Sequence, residues 1–217
     1  MTREETAWFE RLYAAAEAGE AEVPWHRGGP NPFLAQWVRE RSVDGDGRRA
    51  LVVGTALGDD AEMLAARGFA VTAFDISPTA IEGARRRFPA STVDYRVADL
   101  LDLPAEWNEA FDLVAEAITV QSLPVALRDQ AIDAIVSTVA PGGTLVVVSG
   151  MHSGEGPRDG PPWPLTREEL DRFSGTLRPV DVGVARIGSE ARWRGEYTRL
   201  AGGVVPADVN CSGWGSG

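Results

Sequence analysis

The chain has 217 residues, the length of one ordinary or one elaborated α/β domain, and too few for two catalytic domains with a linker. Its 44% hydrophobic and 24% charged residues are those of a soluble globular protein, which argues against wholesale disorder and fibrous architectures. With 21 basic residues against 32 acidic ones the net charge is −11, which repels phosphate backbones and anionic lipid, so neither nucleic acid nor membrane is expected as a partner.

The single cysteine, Cys211, makes no internal disulfide, and with only two histidines it supplies no structural zinc site; a cytoplasmic setting and no metal are expected. The opening Met1-Thr2-Arg3-Glu4-Glu5 lacks the basic-then-apolar pattern of an export signal. The longest apolar runs, such as Leu145-Val146-Val147-Val148, are strand-sized.

In chain order, residues 1–49 read as an extension ahead of a sheet. Trp8, Phe9, Leu12 and Tyr13 share a helical face, and Pro24-Trp25-His26-Arg27-Gly28-Gly29-Pro30-Asn31-Pro32 predicts an irregular loop. Asn31-Pro32-Phe33 approaches the Asn-Pro-Pro-aromatic motif of amino-methylating nucleic-acid enzymes, but its second proline is missing and no strand leads into it, so that reading is set aside.

From Ala50 onward short β-branched runs alternate with helical segments, the pattern of a parallel sheet with crossover helices. Strands are predicted over 50–53, 70–75, 92–97, 111–115 and 144–149. Helices are predicted through 61–66, from Pro78 behind the cap Ser77, and over Val125 to Val139. A Gly/Pro-rich loop over 150–164 and a short helix over 166–173 follow. Two further strands, 180–187 and 192–200, read as an antiparallel hairpin at the sheet edge. The expected fold is α/β: one domain over 1–217, with an N-terminal helical cap over 1–49, a doubly wound, mostly parallel seven-stranded core over 50–205, and a tail over 206–217.

The most informative stretch is Gly54-Thr55-Ala56-Leu57-Gly58-Asp59, a small-residue turn between a strand and a helix, where a ligand can approach bare backbone. Asp75 ends the next strand 21 residues after Gly54, where an acid in nucleotide-binding sheets accepts hydrogen bonds from ribose hydroxyls. Dinucleotides and S-adenosylmethionine share this layout. Asp59 occupies the third glycine place of G-x-G-x-x-G, and a carboxylate there opposes a pyrophosphate, so a phosphate-free, positively charged cofactor fits better.

With Asp75-Ile76-Ser77-Pro78, Ala98-Asp99-Leu100-Leu101, Phe111-Asp112-Leu113-Val114 and Ala140-Pro141-Gly142-Gly143-Thr144 in that order, the chain resembles the class I S-adenosylmethionine-dependent methyltransferases and their Rossmann-like fold. The resemblance implies that Asp75 holds the ribose, Ile76 packs on adenine, Asp99 and Leu100 meet the adenine edge, and Gly54 and Gly58 pass beneath the methionine portion. Ala56 is small enough to keep backbone access. The turn follows Val53 rather than an acidic or proline residue, which implies rearranged contacts to the cofactor's amino group.

Asp75-Ile76-Ser77-Pro78-Thr79-Ala80 and Pro24-Trp25-His26-Arg27-Gly28 look like the thiopurine S-methyltransferase group, which includes thiol, halide and tellurite enzymes. That likeness implies that the N-terminal segment covers the cofactor, with Trp25, and with it Trp8, shielding the sulfonium; the alternative is that these rings seal the sheet edge. On the acceptor side, Glu116 is a candidate wall or base at a strand's carboxyl end, and His26 and His152 lie in the two candidate lids, unless they are solvated loop residues. Trp163 is placed either to stack on a flat substrate or to anchor its loop. The expected function is methylation of a small molecule, a thiol or another soft nucleophile, by a monomer or homodimer. The alternatives are N- or O-methylation, a non-catalytic S-adenosylmethionine-binding protein, or a nicotinamide-dependent oxidoreductase, which Asp59 opposes.

Overall fold

The computed structural model describes residues 3–23, 28–155 and 161–202. A seven-stranded sheet runs through it in the order β3-β2-β1-β4-β5-β7-β6. Its strands are β1 (Arg49–Val53), β2 (Ala70–Asp75), β3 (Asp94–Val97), β4 (Phe111–Ala117), β5 (Val139–Ser149), β6 (Arg178–Ile187) and β7 (Glu190–Thr198). β1 to β5 are parallel to their neighbours, β7 runs antiparallel to β5, and β6 closes the edge antiparallel to β7. This is the doubly wound, mostly parallel sheet with an antiparallel hairpin that the sequence predicts.

The central strands are buried on both faces, so their runs are apolar throughout rather than alternating. Leu51 and Val53 of β1 enter one core with Val114, Ile132, Ile135 and Tyr197, while Ala50 and Val52 enter the other with Phe33, Trp37, Leu64 and Ile81. The helices are α1 (Arg3–Glu17), α2 (Pro32–Glu40), α3 (Asp59–Ala65), α4 (Pro78–Arg87), α5 (Arg128–Ser137) and α6 (Arg167–Asp171).

Three boundaries differ from the sequence reading. α2 was not predicted: Asn31 accepts hydrogen bonds from the N–H groups of Phe33 and Leu34, and Pro32 sits at the first helical position, so the Asn-Pro pair is a helix start. The helix expected over 125–139 is a 3₁₀ turn at Val125–Leu127 followed by α5, because Thr138 ends it and Val139 already pairs with Phe111. β5 therefore begins before Pro141-Gly142-Gly143, with a register shift between Phe111 and Leu113.

Strand order reverses between β1 and β4, and at such a point the crossover helices leave a crevice at the carboxyl ends of the strands. Gly54 lies at that end of β1, Ala117 and Ile118 at that end of β4.

Candidate active site

Two compartments open at this crevice and share Gly54, Ala117 and Ile118. The first, of about 620 Å³, is walled by the ends of β2 and β3 (Asp75, Ile76, Ala98, Asp99, Leu100) and by Phe9 and Tyr13 of α1. The second is wider, about 1390 Å³, and takes residues from both ends of the chain, among them Asn31, Phe33, Thr55, Asp60, Gln121 and Arg192.

Asp75 is the buried acid of the first compartment. Its Oδ2 accepts the Ala56 N–H at 3.0 Å and its Oδ1 accepts the Ser77 N–H at 3.0 Å. Burial pushes its carboxyl up to about 6 despite those hydrogen bonds, with nearby Glu10 adding repulsion. The glycine turn is shaped by its neighbours. Gly54 has φ of +61°, and a Cβ there would stand 2.3 Å from Thr119 Oγ1, whose hydroxyl donates to the Val53 carbonyl at 3.0 Å. A Cβ on Gly58 would stand 2.4 Å from the Tyr95 hydroxyl, so that glycine serves strand-to-helix packing and lines neither compartment. Ala56, also left-handed at φ of +49°, faces the second compartment.

α1 roofs the first compartment. Glu10 accepts hydrogen bonds from Ser77 Oγ and from the Thr79 hydroxyl at 2.6 Å, tying the helix to the start of α4. Burial works to raise the Glu10 carboxyl, but the bonds from Ser77 and Thr79 outweigh it and hold the group below its ordinary range. Trp8 stacks on Phe9 with ring centroids 4.0 Å apart and reaches neither compartment; Phe9 and Tyr13 do.

The turn after β4 is held from beneath. Glu116 is fully buried, its Oε1 accepting the Val120 N–H at 2.9 Å and its Oε2 without a hydrogen-bond partner. Burial raises its carboxyl to about 7, against the backbone hydrogen bonds and the charge of Arg128. Its place is under the 117–122 turn and not on the wall of either compartment. Arg128, also buried, donates to Glu169 at 2.7 Å, to the Trp163 carbonyl at 2.6 Å, and to the carbonyls of Gln121 and Leu123 at 3.4 Å. Glu169 in turn completes a capping box with Thr166 at the start of α6.

Trp163 holds its loop through its backbone, its N–H bonded to the Gln121 carbonyl at 2.6 Å, and it lines neither compartment. His152 points into its own loop, Nδ1 accepting the Gly154 N–H at 2.9 Å. Trp25 and His26 lie outside the described residues, as does Cys211. Asp59, the acid that argued against a pyrophosphate, is bound by Arg87 through bonds of 2.8 and 2.9 Å.

Of the sequence-predicted residues, the fold brings Gly54, Ala56, Asp75, Ile76, Asp99 and Leu100 to the crevice. The sequence reading did not nominate Phe9, Tyr13, Asp60, Gln121 or Arg192. The shared face of Phe9 and Tyr13 was the one signal available for that pair. Among the described residues, no helix is long and apolar enough to cross a membrane, and no group of three or more His, Cys, Asp or Glu is placed to hold a metal ion.

Residues 50–143 match a family model described as "Methyltransferase domain". The chain is 29% identical over 193 residues to a 2-heptyl-1-hydroxyquinolin-4(1H)-one methyltransferase of Mycobacteroides abscessus, covering 86% of this chain and 83% of that one. It is 36% identical over 130 residues to a ubiquinone biosynthesis O-methyltransferase of Xanthomonas campestris pv. campestris; the match spans 56% of this chain and about half, 53%, of the relative. Its fold is that of the Burkholderia thailandensis 1,6-didemethyltoxoflavin-N1-methyltransferase, solved with 1,6-didemethyltoxoflavin and S-adenosylhomocysteine. That likeness has a TM-score of 0.70 over 92% of this chain and 91% of that one, at 15% identity.

Residues 50–143 are thus similar to a methyltransferase domain, and the fold with its crevice at the switch point is shared with a methyltransferase of known structure.

Proposed function

We propose that this chain is an S-adenosylmethionine-dependent methyltransferase that acts on a small molecule whose attacking atom reaches the crevice already ionised, a thiolate or an acidic heteroaromatic hydroxyl. S-adenosylmethionine, when bound, supplies a methyl group on a positively charged sulfur, open to in-line displacement. The observation that carries the reading is Asp75: a buried carboxyl, fixed by two backbone N–H groups, at the mouth of a compartment whose other walls are largely apolar. That pairing suits a sugar diol beside a purine, so the residues present fit the cofactor.

On this reading Asp75 takes the ribose hydroxyls, Ile76 and Leu100 pack on adenine, and Asp99, oriented by the Leu101 N–H at 2.9 Å, meets its edge. Phe9 and Tyr13 exclude water from above. The turn at Gly54 and Ala56 lies under the methionine end, and Gly58 supports that turn through its contact with Tyr95. Residues 1–49 serve as the cover of a single catalytic unit. Trp8 seals Phe9 from behind.

None of the three residues shared by the compartments titrates. Glu116 and His152, the carboxyl and imidazole nominated as bases, are each engaged with backbone N–H groups away from the walls. Acceleration then comes chiefly from alignment of nucleophile, methyl and leaving sulfur, and the acceptor brings its own charge. The likeness to a methyltransferase of a hydroxyquinolone over most of the chain supports an acidic hydroxyl; the thiopurine S-methyltransferase-like motifs support a thiol.

The test is calorimetric titration with S-adenosylhomocysteine, followed by turnover on thiols, N-hydroxy heteroaromatics, phenols, halides and amines. Turnover is expected with acceptors ionised at the assay pH, each rate levelling above that acceptor's own pKa. Failure of the demethylated cofactor to bind overturns the site, and turnover confined to amines overturns the acceptor class.

A further inference from the structure

The wall of the second compartment has two origins. One part is the glycine turn and the start of α3; the other comes from the turn after β4, the loop after β5 and β7, and carries Gln121, Gly150, Met151, Pro164 and Arg192. The cation of that second part is answered in place. Arg192 lies over the Phe33 ring, 5.6 Å from its centroid, and its guanidinium meets Glu190 at 3.3 Å and the Ala191 carbonyl at 2.8 Å.

Gln121 is different. It sits in the 3₁₀ turn Val120–Ser122 and is only 4% exposed. Its backbone carbonyl accepts the Trp163 N–H at 2.6 Å and Arg128 Nη2 at 3.4 Å, which fixes the turn. Its side-chain Oε1 accepts the Gly150 N–H. A Cβ on Gly150 would stand 3.2 Å from that oxygen and 3.1 Å from Pro164 Cβ, so the close approach of the two segments depends on glycine there. A backbone N–H only donates, and this settles which end of the Gln121 amide faces Gly150 and leaves the NH2 over. Among the described residues, nothing accepts from that Nε2. A donor on a nearly buried side chain, in the wall of a cleft and without an acceptor, is answered by a ligand.

We infer that Gln121 selects the acceptor molecule, its Nε2 donating to a carbonyl oxygen or ring nitrogen conjugated with the attacking atom. A hydroxyl or thiol is made more acidic by spreading its charge onto such an atom, which then accepts a charge-assisted hydrogen bond. Phe33, Met151 and Pro164 in the same wall supply apolar surface for a flat ring. The inference rests on the acceptor class proposed above and names the group that recognises it.

The experiment measures kcat/KM for 2- and 4-mercaptopyridine and for thiophenol, at a pH where all three are thiolates, with wild type, Gln121→Glu and Gln121→Met. The three acceptors share ring size and nucleophile and differ in the ring nitrogen. Gln121→Glu keeps an oxygen for the Gly150 N–H and loses the donor; Gln121→Met loses both. The added charge of the first and the loosened turn of the second act on every thiolate, so a merely structural role leaves the ratio of mercaptopyridine to thiophenol where it was. That ratio, for the better mercaptopyridine, is expected to fall about tenfold in both variants. A ratio unmoved in both overturns the inference alone. Wild type that methylates none of the three overturns the acceptor class proposed above, and the inference with it.

Discussion

The first compartment takes its polar wall from the ends of adjacent strands: Asp75 closes β2, and Asp99 follows β3 within two residues. The second takes its wall from Asn31, Thr55, Gln121, Gly150, Pro164 and Arg192, segments scattered over 160 residues of chain and joined only in three dimensions. In the first, parallel pairing of β1, β2 and β3 already fixes where the carboxyl ends stand. In the second, the wall exists only while side chains tie the turn after β4 to the 163–169 segment. The two should therefore fail in different ways, the first by losing ligand with the fold intact, the second by losing structure.

The sharpest test removes the tie. Arg128→Met deletes a guanidinium that serves Glu169 and the carbonyls of Gln121, Leu123 and Trp163, and leaves those acceptors inside. Breaking a buried ion pair from one side costs about 3–5 kcal/mol. Urea unfolding should show a loss of that size, with limited proteolysis opening the chain near residues 150–165 first. A loss under 1 kcal/mol would erase the contrast between the compartments.

Asp75→Asn tests the opposite behaviour. The amide keeps an oxygen for one of the two backbone N–H groups and turns its NH2 toward the other, so stability should fall by about 1–2 kcal/mol with the chain still folded, while S-adenosylhomocysteine affinity falls about tenfold to a hundredfold. The same loss of stability with undiminished affinity would mean that Asp75 serves the turn at Ala56 rather than a ligand.

Glu116 lies between the two cases, beneath the turn that both compartments share. Its native carboxyl titrates near 7 against an ordinary 4.5, so the folded chain binds the proton more tightly than the unfolded one. The stability it contributes is fully present below about pH 4.5 and is lost as pH rises through about 7. Glu116→Gln removes that loss and should be more stable than wild type at pH 8 by about 1–2 kcal/mol, with no advantage at pH 4.5. Asp75 and Asp60, raised to about 6, keep part of the slope in the variant. A stability-against-pH curve parallel to wild type would show that Glu116 stays ionised.

What was legible in the sequence follows the same division. Gly54, Asp75, Ile76, Asp99 and Leu100 were readable because a strand, a tight turn and a strand-end acid are local patterns, and sheet pairing does the rest. Asp59 and Asp60 are neighbours in the sequence, and only the fold shows Arg87 on the first and the Asn31 N–H on the second. α2 was hidden by two prolines that read as loop, although one of them starts the helix. Glu116 was placed correctly at a strand end, but which way a strand-end side chain turns depends on the turn that follows. Here the Val120 N–H pulls it under.

His152 gives the smallest expected effect and the cleanest boundary between the compartments and their surroundings. Its Nδ1 accepts the Gly154 N–H, and its own N–H donates to the Leu165 carbonyl at 2.9 Å, so the backbone bond that holds the loop survives removal of the ring. The neighbours Gly150 and Met151 line the second compartment, but the imidazole does not. His152→Ala should leave stability within about 0.5 kcal/mol and kcat/KM within about twofold, measured on whichever acceptor turns over best. A fall of tenfold or more in kcat with unchanged S-adenosylhomocysteine affinity would place the ring against the acceptor during turnover. The 150–155 loop would then belong to the reacting surface, and the second compartment would extend past the wall that Gly150, Met151 and Pro164 now form.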